Sequence, residues 1–360
     1  MTRVIFAGGG TAGHVEPALA VAREWRRNNP DSNILFLGTK TGLETGLVPD
    51  AGFSLTLISK VKIARTFSPS LFIAPFILVR SVVQCARILR KADLLVGFGG
   101  YVSAPAYMAA SLTRTPFVIH EANSRPGIAN RIGAQLTSFR AVTHPVPGGA
   151  LSSALLTGLP LREDVASAYR AAQSDWQATR AQAKKSLGFS ESDPLIFIFG
   201  GSQGSQAINA VIDQSKRELT ERGFRILHGV GAKNALPTSI DGYRAENYIQ
   251  DMATAYLASD IIISRSGAVT CAEVNTLGKF ALFVPLPIGN GEQVLNALDL
   301  VSQSRAEVIS QKEFTSGWLL THIGRFLQQS QAAPVAGSSR DMDAATKIVA
   351  LMDHAILGGK

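Results

Sequence analysis

The sequence has little cysteine and no long apolar segment. Its two cysteines, Cys85 and Cys271, lie one in each half of the 360 residues, which argues against a disulfide framework or a cysteine metal site. The longest apolar stretch, Leu71–Val79, is too short to span a bilayer. No basic leader and no cleavable apolar segment precede the first strand pattern, so we expect a protein that stays in the cytosol.

Acidic residues are fewer than basic ones. The formal net charge is +8 at pH 7, which indicates an anionic partner. The charge balance alone does not distinguish nucleic acid, phospholipid and a phosphorylated metabolite, because the position of the basic residues decides among them.

Two glycine-rich turns follow short apolar runs, one in each half of the chain. Val4–Ala7 precedes Gly8–His14, Leu195–Phe199 precedes Gly200–Gly204, and an alanine-rich helical pattern follows each turn. Glycine lets backbone N–H groups approach an anion at a helix N-terminus. Because 360 residues exceed one ordinary core, we expect two nucleotide-type domains with a ligand cleft between them.

Strand and helix patterns alternate in both halves, which predicts an α/β protein with a parallel, doubly wound sheet in each. We predict domains at residues 1–160 and 164–338, and an amphipathic helix at 341–357 that packs back onto the first domain. The predicted strands are Val4–Ala7, Ile34–Leu37, Leu55–Ile58, Leu94–Gly97, Phe117–His120 and Phe139–Val142, then Leu195–Phe199, Arg225–Val230, Tyr248–Ile249, Ile261–Ser264 and Phe280–Val284.

The first glycine turn also matches a dinucleotide-binding pattern. Gly8–Gly13 has the spacing G-x-G-x-x-G, but the acidic residue expected after the second strand is absent, since Ile34–Leu37 is followed by Gly38-Thr39-Lys40. A lysine there suits the extra phosphate of NADP. A Rossmann oxidoreductase therefore stays open as an alternative.

His14 directly follows the first glycine turn, at the predicted start of a helix. The positive end of the helix dipole favours the neutral imidazole, which accepts a proton from a hydroxyl. A capping or hydrogen-bonding histidine is the alternative. Gly97–Tyr101 and His120–Asn123 end successive strands and should line the same rim as His14, unless these glycines and the His/Glu pair are purely structural.

In the second half, Ser264–Thr270 ends a predicted strand and opens a helix that carries Glu273. Small residues at this opening suit a diphosphate, and Glu273 is placed to bind ribose hydroxyls. A glutamate that only complements the helix dipole is the alternative. The loop Pro285–Gln293 leads into a further helix, where Gln293 and Asn296 are natural partners of sugar hydroxyls.

One stripe of large apolar residues has no predicted place in the core. At helical spacing Phe72, Phe76, Val79 and Val83 share one face. An exposed apolar patch surrounded by basic residues suits the anionic inner face of a membrane, whereas packing against a neighbouring helix is the alternative. The basic residues that flank the stripe are Lys60, Lys62, Arg65, Arg80, Arg87, Arg90 and Lys91.

Five motifs follow one another across nearly the whole chain: Gly9–Pro17, Gly99–Ser103, His120–Asn123, Gly200–Gly204 and Arg265–Ala268. Together they resemble the signatures of the MurG family, in glycosyltransferase family 28. The resemblance implies a GT-B fold, in which two Rossmann-like domains face each other across a cleft. It also implies inverting, metal-independent transfer of N-acetylglucosamine in peptidoglycan synthesis. The implied donor is UDP-N-acetylglucosamine, the acceptor is lipid I (undecaprenyl-diphosphate-linked muramoyl-pentapeptide) and the product is lipid II.

The resemblance further implies a peripheral protein on the cytoplasmic face of the cell membrane, with no cofactor and no nucleic-acid partner. It assigns Thr11, Ala12, Gly13 and Asn123 to the donor sugar, Arg162 and Ser202 to its diphosphate, Ile249 to the uracil, Ala268, Val269, Thr270, Cys271, Ala272 and Glu273 to diphosphate and ribose, Gln293 to the sugar hydroxyls, and Gly10, Gly99, Gly100 and Tyr101 to the acceptor diphosphate. One departure is Glu292, where many relatives have a second glutamine.

The expected mechanism is attack of the muramoyl C4 hydroxyl on the anomeric carbon, from the face opposite UDP. His14 is the candidate base, and helix N-termini, Ser202 and Arg162 would stabilise the departing diphosphate in place of a metal. The absence of an Asp-x-Asp motif near the expected site agrees with this. Besides the oxidoreductase, a non-catalytic membrane-binding module is the remaining alternative.

Overall fold

The computed structural model of the protein describes residues 1–61, 70–288, 290–332 and 337–358, and, in the helix Ser70–Leu89, the side chains from residue 74 onward. The chain divides into two units, Met1–Arg162 with Asp341–Lys360, and Glu163–Arg340. Each unit contains one parallel sheet flanked by helices. No helix in the described ranges is long and apolar enough to cross a membrane.

The first unit is built on a seven-stranded sheet in the order β3-β2-β1-β4-β5-β6-β7. The strand order reverses between β1 and β4, and ligands of such sheets bind outside the carboxyl ends of the strands at this switch point. The strands are β1 Arg3–Gly8, β2 Asn33–Gly38, β3 Ser54–Leu57, β4 Leu94–Gly99, β5 Phe117–Glu121, β6 Arg140–Val142 and β7 Leu155–Leu156.

The second unit repeats this plan with a six-stranded sheet in the order β10-β9-β8-β11-β12-β13, whose switch point lies between β8 and β11. Neighbouring strands are parallel in both sheets. The strands are β8 Leu195–Phe199, β9 Arg225–Gly229, β10 Tyr243–Glu246, β11 Ile261–Ser264, β12 Phe280–Phe283 and β13 Ala306–Val308.

Helices cover both faces of each sheet. They are α1 Ala12–Asn28, α2 Glu44–Asp50, α3 Ser70–Leu89, α4 Ser103–Thr113, α5 Ile128–Gly133, α6 Glu163–Ser174, α7 Trp176–Ser186, α8 Gln206–Glu221, α9 Met252–Ala258, α10 Ala268–Thr276, α11 Glu292–Asn296, α12 Leu298–Ser302, α13 Ser316–Ala332 and α14 Ala344–Gly358.

Successive side chains of the central strands point to opposite faces of the sheet, so each unit has two apolar layers. In β1, Val4 and Phe6 pack in one layer with α1 and α14, while Ile5 and Ala7 pack in the other with α3 and α4. Ile348 of α14 is buried in the first of these layers. Both faces of the strands are covered, which explains why they read as uninterrupted apolar runs.

The strand predicted at Tyr248–Ile249 is wrong, because the pairing segment is Tyr243–Glu246. The edge strands Leu155–Leu156 and Ala306–Val308 were not predicted at all. Strands β7, β10 and β13 are short edges of their sheets, and β10 and β13 also carry charged residues. Such composition is common at sheet edges and weakens the apolar signal.

Candidate active site

The first glycine turn lies at the switch point of the first sheet, between the carboxyl end of β1 and the start of α1. Gly10 has a φ of +95°, a conformation that glycine adopts without strain. Its N–H donates to Oε2 of Glu44, at 2.8 Å. Thr11 precedes the first helical residue, and its hydroxyl does not cap the helix.

The glycine turn that follows β4, Gly97–Tyr101, packs directly on His14. Gly99 and Gly100 have φ values of +92° and +83°. A Cβ on Gly99 would lie 3.2 Å from Cδ2 of His14, and a Cβ on Gly100 would lie 3.3 Å from Nδ1 of the same ring. A Cβ on Gly100 would also overlap the Gly9 carbonyl oxygen. Larger residues at these two positions would displace the imidazole, so the structure brings Gly97–Tyr101 together with the first glycine turn and His14.

The environment of His14 keeps its side chain neutral at pH 7. Burial lowers the pKa of His14, and the negative charges of Glu121 and Glu44 and the Gly9 carbonyl oppose this shift only partly. Nδ1 lies 3.2 Å from Oγ1 of Thr11. In the tautomer in which Nδ1 donates to Thr11, the lone pair of Nε2 is available to accept a proton, as a general base requires.

Tyr101, predicted at the acceptor diphosphate, lies beside the first glycine turn. A Cβ on Gly10 would be 3.4 Å from Cδ2 of its ring. Nζ of Lys60 lies 4.9 Å from the centroid of the Tyr101 ring and 3.1 Å from Oγ1 of Thr41. Lys60 was predicted only as one of the basic residues that flank the apolar stripe, although its position soon after β3 was a signal that its side chain belongs at this rim.

Glu121 organises the segment that follows β5. It is 3% exposed and accepts hydrogen bonds from the Asn123 N–H at 2.9 Å, the Asn123 side-chain amide at 3.0 Å, the Gly127 N–H at 3.0 Å and the Asn130 amide at 3.0 Å. Tyr107 in turn donates to Asn130 at 2.7 Å. This network holds Asn123, predicted at the donor sugar, in a half-buried position.

His120, in contrast, is fully buried, and its Nε2 lies 3.0 Å from the Gly158 carbonyl oxygen and 3.3 Å from Oγ1 of Thr143. Burial lowers its pKa to about 4. Burial also lowers the pKa of His228 to about 4, where Nδ1 lies 2.8 Å from the Tyr243 hydroxyl. Both histidines are structural side chains that the fold keeps neutral.

Because His120 and His228 are kept neutral in the folded protein, we expect the free energy of unfolding to fall in mild acid. The unfolded chain takes up protons below a pH of about 6.5, whereas folded His120 and His228 stay neutral until about 4. The free energy of unfolding should therefore fall between these pH values, by about 3 kcal/mol for each histidine at most. Urea denaturation at several pH values measures this. A His120→Gln variant should lose less stability with falling pH than the native protein, and the exposed His354→Gln control should follow the native curve. A variant curve parallel to the native one would contradict the assignment.

In the second unit, Gly200–Gly204 lies between β8 and α8. Ser205 caps the N-terminus of α8, and its hydroxyl accepts from the Ile208 N–H at 3.4 Å. Gly204 has a φ of +73°, and a Cβ there would overlap the Val230 carbonyl oxygen. Ser202, predicted at the diphosphate, is half-buried within this turn.

Arg265 ties together the loops at the carboxyl ends of the second sheet. It is 8% exposed. Its guanidinium donates to the carbonyl oxygens of Val284 and Pro285 at 2.9 and 3.0 Å, to Oγ of Ser205 at 2.8 Å and to Oε1 of Gln311 at 2.6 Å. These partners follow β8, β12 and β13, so the arginine of the Arg265–Ala268 motif is a structural brace. The sequence alone did not show this role.

Helix α10 carries the residues predicted to bind diphosphate and ribose. Gly267 precedes the helix without a side-chain cap, and Val269 and Thr270 are half-buried in its first turn. Glu273 is 3% exposed and accepts from the Tyr256 hydroxyl at 2.8 Å. The remaining members of this set, Ala268, Cys271 and Ala272, are buried.

Gln293 and Glu292 both contact their own loop. Oε1 of Gln293 accepts from the Leu286 N–H at 2.9 Å, and Oε2 of Glu292 accepts from the Asn290 N–H at 3.1 Å. Ile249 is 7% exposed and packs in the core of the second unit. Arg162 is half-buried at the end of the first unit's main segment. Among the described residues, no group of three or more His, Cys, Asp or Glu side chains is arranged to hold a metal ion.

The apolar stripe of α3 is exposed where the structure describes its side chains. Phe76 is 77% exposed, Val79 63% and Val83 43%. Arg80, between them, is exposed as well. The side chain of Phe72 lies outside the described part of the helix. The alternative prediction, that this stripe packs against a neighbouring helix of the chain, is therefore wrong for its described residues.

The chain matches two family models: Glycosyltransferase family 28 N-terminal domain over residues 4–138, and Glycosyltransferase family 28 C-terminal domain over residues 195–351. A relative from Thermobifida fusca is 42% identical, over 97% of this chain and 94% of its own length. One from Corynebacterium glutamicum strain R is 43% identical, over 88% of this chain and 87% of its own. Both are named UDP-N-acetylglucosamine--N-acetylmuramyl-(pentapeptide) pyrophosphoryl-undecaprenol N-acetylglucosamine transferase.

The crystal structure of Acinetobacter baumannii MurG superposes with a TM-score of 0.70 at 26% identity, covering 98% of this chain and all of that one. Two doubly wound parallel sheets, each with a glycine turn at its switch point, together with these matches define a glycosyltransferase of the GT-B class. The chain belongs to the MurG family, within glycosyltransferase family 28. This membership decides against the oxidoreductase and the non-catalytic module.

Proposed function

We propose that the protein transfers N-acetylglucosamine from UDP-N-acetylglucosamine to the C4 hydroxyl of the muramoyl sugar of lipid I, with inversion and without a metal, and so forms lipid II. The observation that carries this proposal is 42% identity over 97% of the chain to a transferase named for these substrates.

In the first unit, His14 acts as the general base toward the acceptor hydroxyl. Its neutral imidazole, kept neutral by burial, accepts the proton as the C4 oxygen forms its bond to the anomeric carbon. The new positive charge is stabilised by the carboxylates of Glu121 and Glu44, which both favour the protonated ring. UDP leaves with the bonding electrons of the broken glycosidic bond.

The acceptor diphosphate binds at the two glycine turns of the first unit. The backbone at Gly10, Gly99 and Gly100 has no side chains that would keep a phosphate away. Tyr101 lies beside Gly10, and the ammonium of Lys60, held over the Tyr101 ring, supplies positive charge in place of a metal ion.

The second unit binds the donor through the carboxyl ends of its strands. Ser202 and the start of α10 from Ala268 to Ala272 hold the diphosphate, Glu273 the ribose and Gln293 the sugar hydroxyls. Ile249 contacts the uracil. Support for this assignment comes from Arg265, whose four hydrogen bonds hold these loops in one arrangement. Further proposed contacts of the donor, all from the first unit, are Thr11, Ala12, Gly13, Asn123 and Arg162.

Transfer of radiolabelled N-acetylglucosamine from its UDP donor to a short-chain lipid I analogue, in the presence of EDTA, tests the proposal. Metal-independent transfer is expected, and it should be abolished or strongly reduced in Glu273→Ala. Saturable UDP binding without transfer would show that lipid I is not the acceptor, and the proposed nucleotide site would still stand. Absence of UDP binding would overturn both.

We further propose that the α3 stripe docks the protein on an anionic membrane surface, at the cytoplasmic face where lipid I would be presented. The support is the exposure of Phe76 and Val79 next to Arg80. Apolar side chains enter the headgroup boundary, and nearby cations add attraction to acidic lipids.

The double variant Phe76→Ser/Val79→Ser should bind vesicles of phosphatidylglycerol and phosphatidylethanolamine at least about 10-fold more weakly, because each lost side chain removes about 1.5–3 kcal/mol of apolar burial. Cosedimentation measures the binding. Leu357→Ser is the matched control, since Leu357 is 71% exposed on α14. Equal binding by the double variant and the control would place the membrane surface elsewhere.

A further inference from the structure

Glu44 is a fully buried carboxylate in the first turn of α2. Its Oε1 accepts from the Thr39 N–H at 2.8 Å and the Thr39 hydroxyl at 3.1 Å, and its Oε2 accepts from the Gly10 N–H at 2.8 Å. Among the described residues no cation pairs with it. A buried charge without a cation is costly, and hydrogen-bond donors to both oxygens offset that cost.

Three glycines make room for this carboxylate. A Cβ on Gly38, at the end of β2, would lie 2.5 Å from Cγ of Glu44, and a Cβ on Gly9 would lie 3.0 Å from Oε1. A Cβ on Gly42 would overlap the carboxylate itself. Three separate points of the chain therefore lack side chains where Glu44 fills the space.

The bond to Gly10 links Glu44 to the turn that carries His14. Gly10 stands four residues before His14, and the next residue, Thr11, is in hydrogen-bond distance of the imidazole. The charged groups that act on His14 are Glu121, from β5, and Glu44, from α2; both favour its protonated form. Glu44 therefore acts on His14 in two ways: its hydrogen bond to Gly10 fixes the backbone of the turn, and its negative charge favours the protonated imidazole.

We propose that Glu44 is a positioning residue of the transferase, which locks the first glycine turn through Gly10 and Thr39 and thereby sets the place of His14, without touching either substrate. The proposal rests on the proposed role of His14. It assigns a function to a residue that none of the sequence motifs includes.

Glu44→Gln is the principal test. The amide has nearly the same shape, but one of its two ends is a donor, so it must face either the Gly10 N–H or the Thr39 donors. We expect kcat to fall roughly 10- to 100-fold, as for a small misplacement of a reacting group, while the KM for the donor stays within about 2-fold. Asp50→Asn, the same change on the exposed end of α2, is the matched control and should keep native kinetics.

A second readout does not depend on turnover. The titration of His14, followed by NMR of its imidazole C–H and assigned with His14→Gln, should shift to lower pH in Glu44→Gln, because a negative charge that favours the protonated ring is removed. Glu44→Asp keeps the charge but is one methylene shorter, so kcat should fall while the His14 midpoint stays closer to the native one.

An unchanged kcat in Glu44→Gln, a loss of activity no larger than the loss of folded protein, or an unshifted His14 midpoint would each overturn the proposal. If the native protein transferred no N-acetylglucosamine, the proposed function would fail instead. The His14 titration in native protein and Glu44→Gln would then still decide whether Glu44 sets the state of His14.

Discussion

Replacing His14 by alanine should lower kcat about 100- to 10,000-fold, the range that a positioned general base contributes. The KM for UDP-N-acetylglucosamine should change little, since the imidazole acts on the acceptor hydroxyl. Steady-state transfer to a lipid I analogue, with donor and acceptor varied separately, measures both constants. The expected effect is large because the ring is held neutral by burial and enclosed by Gly99 and Gly100.

The pH dependence of the native enzyme provides a second test of His14. The group must be neutral to accept a proton, and its pKa is lowered from the usual value. Activity should therefore persist at mildly acidic pH and decline only below the ordinary pKa of histidine, about 6.5. His354→Ala, a change of the exposed histidine of α14, is the control. A His14→Ala enzyme within about 10-fold of native kcat would remove His14 from the base role.

Replacing Arg265 by methionine should unfold or loosen the donor-binding unit. Each buried acceptor that loses its donor costs about 1–3 kcal/mol, and the guanidinium serves four acceptors, of which, among the described residues, Ser205 alone keeps a second donor, the Ile208 N–H. We expect the free energy of unfolding to fall by roughly 3 kcal/mol or more. UDP affinity should fall too, because the loops after β8, β11 and β12 would no longer share a common anchor.

Urea denaturation and calorimetric titration with UDP measure these two effects. Arg265→Lys should rescue little, since an ammonium lacks the planar fork that serves several acceptors at once. Arg222→Met is the matched control: this exposed arginine pairs with Glu218 on the surface of α8, and exposed pairs contribute about 0–1 kcal/mol. An Arg265→Met protein as stable as the Arg222→Met control would show that the brace is dispensable.

Much of the site could be predicted from the sequence because its residues directly follow predicted strands, where ligands of parallel α/β sheets bind. The glycine turns after β1, β4 and β8 stand at the carboxyl ends of parallel strands, and parallel sheets collect such ends at one rim. Apolar runs buried on both faces predicted the central strands. The edge strand at Tyr243–Glu246 escaped prediction because it carries Arg244 and Glu246, and edges bear little of the apolar signal.

The residues that hold the site in place could not be predicted from the sequence. No local sequence pattern around Glu44 or Arg265 predicts which residues they bind. Gly10 lies 34 residues from Glu44 in the chain, and Ser205 lies 60 residues from Arg265. A glutamate or an arginine near the start of a helix can make many different contacts, and only the folded structure selects among them.

The sequence by itself determined the fold class, the family and the glycine turns, because strand periodicity, glycine spacing and motif order are local properties of the chain. Tertiary structure alone decided that His120 is a buried structural residue, that Lys60 stands over Tyr101, that the described residues of the α3 stripe face solvent, and that Glu44 and Arg265 anchor the loops. Those roles depend on burial and on hydrogen bonds between residues far apart in the chain, and such contacts exist only once the sheets have formed.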